Sequence, residues 1–330
     1  MKNPLQSGAT FMNEPPIEYL GRFPRTKRGG GRVPPRFAAA LLVCLLVALA
    51  PGWTLAGETL TIGRPTKQVQ KDFKRLIPIA DYLGARLGAV GITGGEVLVS
   101  GMNSTEECIG MLQTGKLDLV FETPASALRM IKEAGARPLL LATRDGASQY
   151  SSLVFVRDDS GLTALTDLRN KIVAFEDPGS TSGFSLPRKA MLEAGLELVP
   201  LASPETPVPP GKTGYVFTQG ELNVSSWVFF RKAHAGAMAN TDWLSQEDNP
   251  EAFRARMRIL HETVKVPRML VLVGPGMSPV VEAELKRLLL AMPSDPVGRE
   301  ALKGYKLDGF TDHGPPETLI QQLEKSLAGN

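Results

Sequence analysis

Residues Phe175-Glu-Asp-Pro-Gly-Ser-Thr-Ser-Gly-Phe-Ser-Leu-Pro187 combine the features on which the fold and the function both depend. They follow an apolar run, Lys171 to Phe175, that is typical of a buried strand. They precede Arg188 to Gly195, a segment that predicts a helix ended by glycine. A hydroxyl-rich turn therefore connects a strand to a helix, and repeated alternation of this kind predicts an α/β fold.

The turn has the chemistry of an oxyanion cradle. Backbone N–H groups at a helix start have no partner within the helix, and the helix dipole places partial positive charge there. Ser180, Thr181 and Ser182 add hydroxyl donors around these groups, next to Gly183. The alternative is purely structural: a serine caps the helix, while Gly179 and Gly183 turn the chain.

The first 56 residues predict a secretory signal. Basic residues lead into an apolar run, Phe37 to Ala50, and Thr54 to Ala56 offers small residues where a signal peptidase could cleave. The apolar run is shorter than the roughly 20 residues of a spanning helix, which favours cleavage near Ala56 over a retained anchor. The basic region is long, so the true start stays open, with Met12 as one option.

Charge and cysteine content exclude two classes of protein. The net charge of +3 comes from basic residues in the predicted signal, and the remainder of the chain is near neutral. No cluster of Lys and Arg with interleaved aromatic residues remains there, so nucleic acid is not an expected partner. Only Cys108 follows the signal, so an exported chain has no intrachain disulfide.

Catalysis is the main rival to binding. Glu176, Asp177 and the serines of the turn could act as a base and a nucleophile. However, His234, His261 and His313 have no partner at metal-ligand spacing, and neither a Gly-x-Ser-x-Gly motif nor a cysteine–histidine pair is evident. We therefore expect no catalytic residue, no metal and no cofactor.

Strand and helix patterns continue on both sides of the turn and predict a largely parallel sheet in each half of the chain. The predicted strands are at 58–63, 97–100, 117–121, 152–156, 171–175, 214–217, 235–238 and 266–273. The predicted helices are at 73–87, 105–113, 124–134, 188–195, 223–232, 280–291 and 316–327. Five prolines within residues 200–212 predict a surface loop.

Several separated segments carry a family resemblance. They are Tyr150 to Ser160, Leu165 to Lys171, Asp177 to Gly183 with Pro187, and Leu288 to Pro296 followed by Gly309-Phe310. In this order they resemble the periplasmic substrate-binding proteins of phosphonate, phosphite and phosphate ABC transporters. The resemblance covers essentially the whole chain after the signal. It implies a two-lobed α/β fold of the second periplasmic type, with a mostly parallel sheet flanked by helices in each lobe and a ligand cleft between lobes that close on a hinge.

The resemblance also implies the organisation and the role of the chain. Residues 58–147 together with 264–330 would form lobe 1, and residues 148–263 would form lobe 2. The implied role is capture of a small phosphorus oxyanion in the periplasm by a monomer that delivers it to an ABC permease in the inner membrane. Two alternatives stay open: a sensing component that reports to a kinase, and a binding protein for a different small anion.

The implied ligand site lies where the hydroxyl-rich turn of lobe 2 faces strand ends of lobe 1. Strand ends in lobe 1 offer Arg64, Pro65 and Thr66 after the first strand, and other polar residues after the third. The expected ligand-binding set is Ser180, Thr181, Ser182, Gly183, Thr66, Glu122, Thr123, Ser126, Asn240 and Asp242.

Two departures from the family pattern leave the ligand open. Relatives that bind phosphonate often carry a histidine after the strand at 214–217, where this chain has Thr218 to Asn223. His234 replaces an aspartate that is frequent in relatives, and it fits a core or helix-end position better than a ligand contact. Glu221 and Asp242 would repel a fully ionised phosphate unless they meet an amine or accept the proton of a monoanion.

Overall fold

The chain forms two six-stranded sheets, and a two-stranded sheet lies where the chain passes between them. The structure is a computed structural model that describes residues 58–66, 68–98 and 104–327. The predicted signal at residues 1–56, with its cleavage near Ala56, lies outside the described residues.

Strands and helices alternate along the described chain. The first elements are β1 (Glu58–Gly63), α1 (Val69–Gly84), β2 (Ile92–Leu98), α2 (Thr105–Gln113), β3 (Leu119–Glu122), α3 (Pro124–Ala134), β4 (Arg137–Arg144), β5 (Gln149–Tyr150), β6 (Ser152–Arg157), β7 (Ile172–Phe175), α4 (Leu186–Glu193) and β8 (Leu198–Pro200). The later ones are β9 (Thr213–Phe217), α5 (Glu221–Phe229), β10 (Ala235–Ala239), α6 (Glu251–Arg254), β11 (Met257–Glu262), β12 (Val266–Pro267), β13 (Met269–Val273), α7 (Pro279–Ala291), α8 (Pro296–Lys303), β14 (Leu307–Thr311) and α9 (Pro316–Leu327). Within the described ranges, no helix has both the length and the apolar character needed to cross a membrane.

The first sheet has the strand order β14-β4-β13-β3-β1-β2. Strands β2 and β3 run parallel to β1, whereas β13, β4 and β14 pair antiparallel with their neighbours. The predicted sheet is therefore present and is mixed, with β2, β1, β3 and β4 running in one direction and β13 and β14 in the other. The chain comes back from the second sheet at the edge where β3 ends, so β13 has to run opposite to β3.

The second sheet has the order β11-β6-β10-β7-β9-β8, with a parallel block from β10 to β8 and two antiparallel strands at the other side. Two sheets flanked by helices confirm the predicted α/β fold. Every strand of this sheet lies within residues 148–263, and those of the first sheet lie within 58–147 and 264–330. The lobe boundaries remain a prediction, because a lobe is defined by the parts of the chain that move together and not by strand positions.

The register brings the loops that matter to one edge of each sheet. In the first sheet Leu270 pairs with Glu122, so β3 ends where β13 begins. In the second, Phe175 pairs with Phe217, so the parallel strands β7 and β9 end together. The carboxyl ends of parallel strands are where α/β folds place ligands. The hydroxyl-rich turn and the loop after β3 therefore both lie at such an edge.

Apolar burial holds the first sheet to its helices. One face of α1 places Leu76, Ile79 and Leu83 against Leu60 and Ile62 of β1, and each is at most 1% exposed. Full burial of a side chain of this size contributes about 1.5–3 kcal/mol. The loops at this edge of the first sheet thus start from a well-packed layer of sheet and helix.

The predicted helices at 105–113 and 124–134 are confirmed as α2 and α3. The helix predicted from Arg188 begins earlier, at Leu186, and a π-helical turn at Thr181–Ser185 leads into it. The strands β4 and β14 are not predicted from the sequence, because both find their partners only through distant segments of the chain. The hydroxyl-rich segment is consequently part of a helical start and not a free loop.

Close packing of α1 on β2 generates a stability prediction. A Cβ atom at Gly84 would lie 2.5 Å from the Gly94 carbonyl carbon and closer still to the Gly95 nitrogen, and this backbone cannot yield cheaply. We expect Gly84→Ala to lower the free energy of unfolding by about 1–3 kcal/mol, measured by urea denaturation. The control is Gly88→Ala, because a Cβ there meets nothing within 4 Å and should change stability by no more than about 0.5 kcal/mol. Equal effects of the two substitutions would contradict this packing.

Candidate anion-binding site

The hydroxyl-rich turn is held from within by Ser180. Its hydroxyl accepts a hydrogen bond from the Gly183 N–H at 2.8 Å, and its carbonyl accepts from the Ser185 N–H at 3.0 Å. The structure therefore shows at Ser180 the cap that the structural alternative predicts. Gly183 packs against Glu176, because a Cβ atom at this glycine would lie 2.6 Å from the Glu176 Cβ.

Thr181 points to the first sheet. It is 1% exposed, and its hydroxyl accepts a hydrogen bond from the Ala125 N–H at 2.8 Å. Ala125 lies in the first turn of α3, where the preceding Thr123 provides no side-chain cap. N–H groups at a helix start need an acceptor from elsewhere. Thr181 supplies one from the opposite side of the cleft.

A second contact crosses the cleft beside the first. The Ser126 hydroxyl donates to the Gly179 carbonyl at 3.0 Å and lies 3.0 Å from the Thr105 hydroxyl. A Cβ atom at Gly179 would be only 3.1 Å from the Ser126 hydroxyl oxygen, so the two chains approach closely. The start of α3 and the hydroxyl-rich turn thus meet face to face through Thr181 and Ser126.

Ser182 is fixed through its backbone. Its carbonyl accepts from the Ser152 hydroxyl at 2.6 Å, which ties the turn to the start of β6. The side chain of Ser182 is half-buried. The structure thus places this predicted residue at the cleft edge without showing what its hydroxyl binds.

The residues predicted in the first sheet bind mainly to each other. The Glu122 carboxylate accepts from the Thr123 N–H at 2.7 Å and from the Thr123 hydroxyl at 3.1 Å. The Thr66 hydroxyl accepts from the Gln68 N–H at 2.9 Å in a local turn. These predicted ligand contacts therefore serve the loops themselves.

Arg64 is a paired cation. It donates to the Tyr305 hydroxyl at 2.7 Å and lies 3.8 Å from Glu122 and 3.9 Å from Asp72. Burial on its own lowers the pKa of Arg64, but Tyr305 and the two carboxylates raise it above its ordinary value. Arg64 is thus a permanent charge with its counter-charges in place.

Asn240 and Asp242 follow β10 at the cleft edge of the second sheet. The Asn240 side-chain oxygen accepts from the Ser151 N–H at 3.1 Å. This bond holds the segment between β5 and β6, where the chain passes from the first sheet to the second, to the end of β10. Asp242 accepts from the Thr241 hydroxyl at 3.1 Å. Burial raises the pKa of Asp242, and the positive charge of Arg268 opposes that effect. Asp242 therefore faces cations of the first sheet.

Arg144 and Arg268 lie at the same cleft edge, and neither was among the predicted site residues. Arg144 ends β4 and Arg268 precedes β13, so adjacent strands carry both to the cleft edge. The Arg268 guanidinium lies over the Tyr150 ring at 4.6 Å, and the Arg144 guanidinium lies over the Tyr305 ring at 5.2 Å. No local pattern identifies them, because β4 was not predicted and Arg268 lies within the strand predicted at 266–273.

His234 is not part of this site. It precedes β10, at the edge of the second sheet opposite to the site loops, and its Nδ1 accepts from the Ile172 N–H at 3.2 Å. Burial lowers the pKa of His234. In the described part of the chain, no cluster of three His, Cys, Asp or Glu residues could hold a metal ion.

Two acids lie directly beneath the hydroxyl-rich turn. Burial raises the pKa of Glu176 well above its usual range, and Glu221 and Asp177 raise it further. Burial also raises the pKa of Glu221 at the start of α5. Like charges this close favour one shared proton. Simultaneous ionisation of the two acids beneath the turn is therefore disfavoured.

Comparison with known proteins matches this architecture to one family. The family model of ABC transporter phosphonate periplasmic substrate-binding proteins matches residues 64–314. The phosphate-import protein PhnD of Mycolicibacterium smegmatis is 37% identical over 91 residues, which are 26% of this chain and 28% of that protein. The present chain therefore aligns with little more than a quarter of that curated relative.

Solved structures give a fuller match. XAC2383 from Xanthomonas citri, bound to chloride, is 32% identical over 82% of this chain and 97% of that chain, with a TM-score of 0.78. The same protein bound to ATP has a TM-score of 0.77. PhnD1 from Prochlorococcus marinus, in complex with methylphosphonate, covers 82% of this chain and 98% of that chain, with a TM-score of 0.61 at 17% identity, and supports the fold alone.

The buried acid pair generates a pH prediction. A carboxyl group whose pKa is raised in the folded protein stabilises the fold below its unfolded pKa, and this contribution is lost as the pH rises through the folded pKa. We expect the free energy of unfolding of the wild type to fall as the pH rises above the ordinary pKa of glutamate. The fall should be smaller for Glu176→Gln. Urea denaturation at a series of pH values measures both.

The control for this experiment is Glu247→Gln, because Glu247 is exposed. It should retain the pH dependence of the wild type. A Glu176→Gln variant with the wild-type dependence would show that Glu176 is ionised in the folded protein.

Proposed function

This chain belongs to the periplasmic substrate-binding proteins of phosphonate ABC transporters, and on that basis we propose that it captures a small phosphorus oxyanion. The family is a binding component of a transporter and not an enzyme. The proposed ligand is a phosphonate, phosphite or phosphate held between the two sheets. The proposed partner is the permease of an ABC transporter in the inner membrane.

The observation that carries this proposal is the hydrogen bond from Ala125 to Thr181. It joins the start of α3 to the hydroxyl-rich turn across the cleft. Because the Thr181 hydroxyl accepts from an N–H there, its own proton can be donated to an anion, and hydrogen bonds in such a chain strengthen one another. The Thr181 hydroxyl thus offers a donor where the start of α3 meets the hydroxyl-rich turn, which suits an oxyanion.

Capture would work by closure of the cleft. An anion that contacts both sheets binds the closed form better than an open one, so its binding shifts the population to the closed form. A permease can then recognise the closed protein. We propose that the exported chain, cleaved near Ala56, acts as a monomer in the periplasm. A sensing component that reports to a kinase would use the same closure and stays the alternative.

A ligand screen by thermal shift, followed by calorimetry, tests the proposed ligand class. Phosphate, phosphite, methylphosphonate, 2-aminoethylphosphonate, sulfate and ATP are compared in chloride-free buffer, because XAC2383 is bound to chloride in one structure and to ATP in another. A ligand at about 100 times its Kd should stabilise the protein by about 2.7 kcal/mol. Stabilisation by phosphorus oxyanions supports the proposal, and its absence with folded protein contradicts it.

The second prediction concerns the Thr181 hydroxyl. Thr181→Val keeps the shape of the side chain and removes the donor, so we expect a loss of about 1.5–3 kcal/mol in oxyanion binding free energy, measured by calorimetry. The matched control is Thr213→Val at the far end of β9, where a fully buried hydroxyl donates to the Leu168 carbonyl at 3.0 Å. Both variants lose stability, but only the first should lose affinity. Unchanged affinity in Thr181→Val would remove this hydroxyl from the site.

A further inference from the structure

Two guanidinium groups lie side by side at the cleft edge of the first sheet. Arg144 is the last residue of β4, and Arg268 comes directly before β13, the antiparallel neighbour of β4. The pairing of Met269 with Ala142 places both arginines just beyond the same end of the sheet. Its own burial lowers the pKa of Arg144, and the positive charge of Arg268 lowers it further. Their charges are therefore close and mutually unfavourable.

Among the residues that the structure describes, no acid contacts either guanidinium. Arg268 is 7% exposed, and its Nε is buried without a hydrogen-bond partner. The Nε of Arg144 is likewise buried and unpartnered. Neither forms a salt bridge with any residue that the structure describes, whereas Arg64 has Tyr305 and two carboxylates. A buried cation without a partner costs several kcal/mol and calls for a specific reason.

The groups that face the two arginines do not neutralise them. Two acids interact with them through space: Asp242 with both arginines and Asp145, which pairs with Lys306, with Arg144. Neither acid forms a salt bridge with either arginine. Glu122 and Asp72 face Arg64. The rings of Tyr150 and Tyr305 support the guanidiniums and supply no charge. Positive charge therefore remains in excess at this point of the cleft.

We propose that Arg144 and Arg268 bind the charge of the ligand, and that the bound ligand is a doubly charged oxyanion. This inference rests on the proposed function and deepens it, since it concerns the same cleft. The two guanidiniums take up the anionic oxygens from the side of the first sheet, while the hydroxyl-rich turn binds from the side of the second. A guanidinium offers paired N–H donors that match two oxygens of a phosphonate group.

The proposal separates two ligands of the same shape. Methylphosphonate carries two negative charges above its second ionisation, whereas methanesulfonate carries one. Two guanidiniums that have Asp242 and Asp145 beyond salt-bridge distance favour the dianion. We expect the wild type to bind methylphosphonate at least about 10-fold more tightly than methanesulfonate, by calorimetry in chloride-free buffer above that ionisation.

Substitution of each arginine by methionine tests the assignment. Arg268→Met and Arg144→Met each remove a charge-assisted hydrogen-bond donor and should weaken methylphosphonate binding by about 10- to 100-fold, with little change for methanesulfonate. Arg86→Met is the control for affinity, because Arg86 pairs with Asp295 away from the cleft edge and should leave both affinities unchanged.

Stability without any anion provides an independent readout. A buried cation whose only partner is the ligand destabilises the unliganded protein. Arg268→Met should therefore keep or raise the unfolding midpoint. Arg64→Met should lower that midpoint, because it removes the cation that pairs with the buried Glu122 and leaves the buried Asp72 with Arg75 alone. If Arg268 has only a structural role, the unfolding midpoint should fall in both Arg268→Met and Arg64→Met.

The outcomes separate this inference from the proposed function. Tight methylphosphonate binding that Arg268→Met leaves intact, or equal binding of the two methyl compounds by the wild type, overturns the inference and leaves the function standing. Binding of sulfate but no phosphorus oxyanion, lost in Arg268→Met, supports the inference and overturns the function. If the folded wild type binds none of these anions, both the inference and the proposed function are overturned.

Discussion

The hydrogen bond from the Ala125 N–H to the Thr181 hydroxyl is the contact on which the rest of the site depends. It satisfies a backbone donor that α3 cannot satisfy itself, and it does so with a side chain from the other sheet. The close approach of Gly179 to Ser126 and the tight fit of Gly183 over Glu176 are required for this alignment. Ser152 then holds the turn in place from β6. The cleft is thereby built from two helix starts that face each other.

Charge is distributed unevenly around this contact. Arg64 is neutralised by its neighbours, while Arg144 and Arg268 are not. On the other side, burial and the repulsion of neighbouring acids raise the pKa of both Glu176 and Glu221, which disfavours two full negative charges under the hydroxyl-rich turn. A binding protein that keeps unpaired cations in its cleft sacrifices stability when unliganded and regains it on binding. This exchange gives a physical reason for a preference between anions of equal shape and unequal charge.

The sequence predicts those parts of the structure that local pattern determines. Amphipathic spacing identifies α2 and α3, and the strand, turn and helix around Thr181 mark one wall of the site. Pairing between distant segments is not a local property, so the antiparallel strands β4 and β14 and the mixed first sheet were missed. Likewise, Thr181 could be predicted as a donor, but its partner 56 residues away could not. Arg144 and Arg268 are single arginines in unremarkable contexts, and only the topology makes them neighbours.

The most direct test of the account is the response of individual backbone amides to a bound anion. In an NMR titration of the ¹⁵N-labelled protein with methylphosphonate, the account predicts the largest shifts and the strongest protection from exchange at Ala125, Ser126 and Thr181 to Gly183. These amides lie at the two helix starts that the ligand would bridge. Shifts confined to amides elsewhere, with these five unchanged at saturation, would contradict an anion site between α3 and the hydroxyl-rich turn.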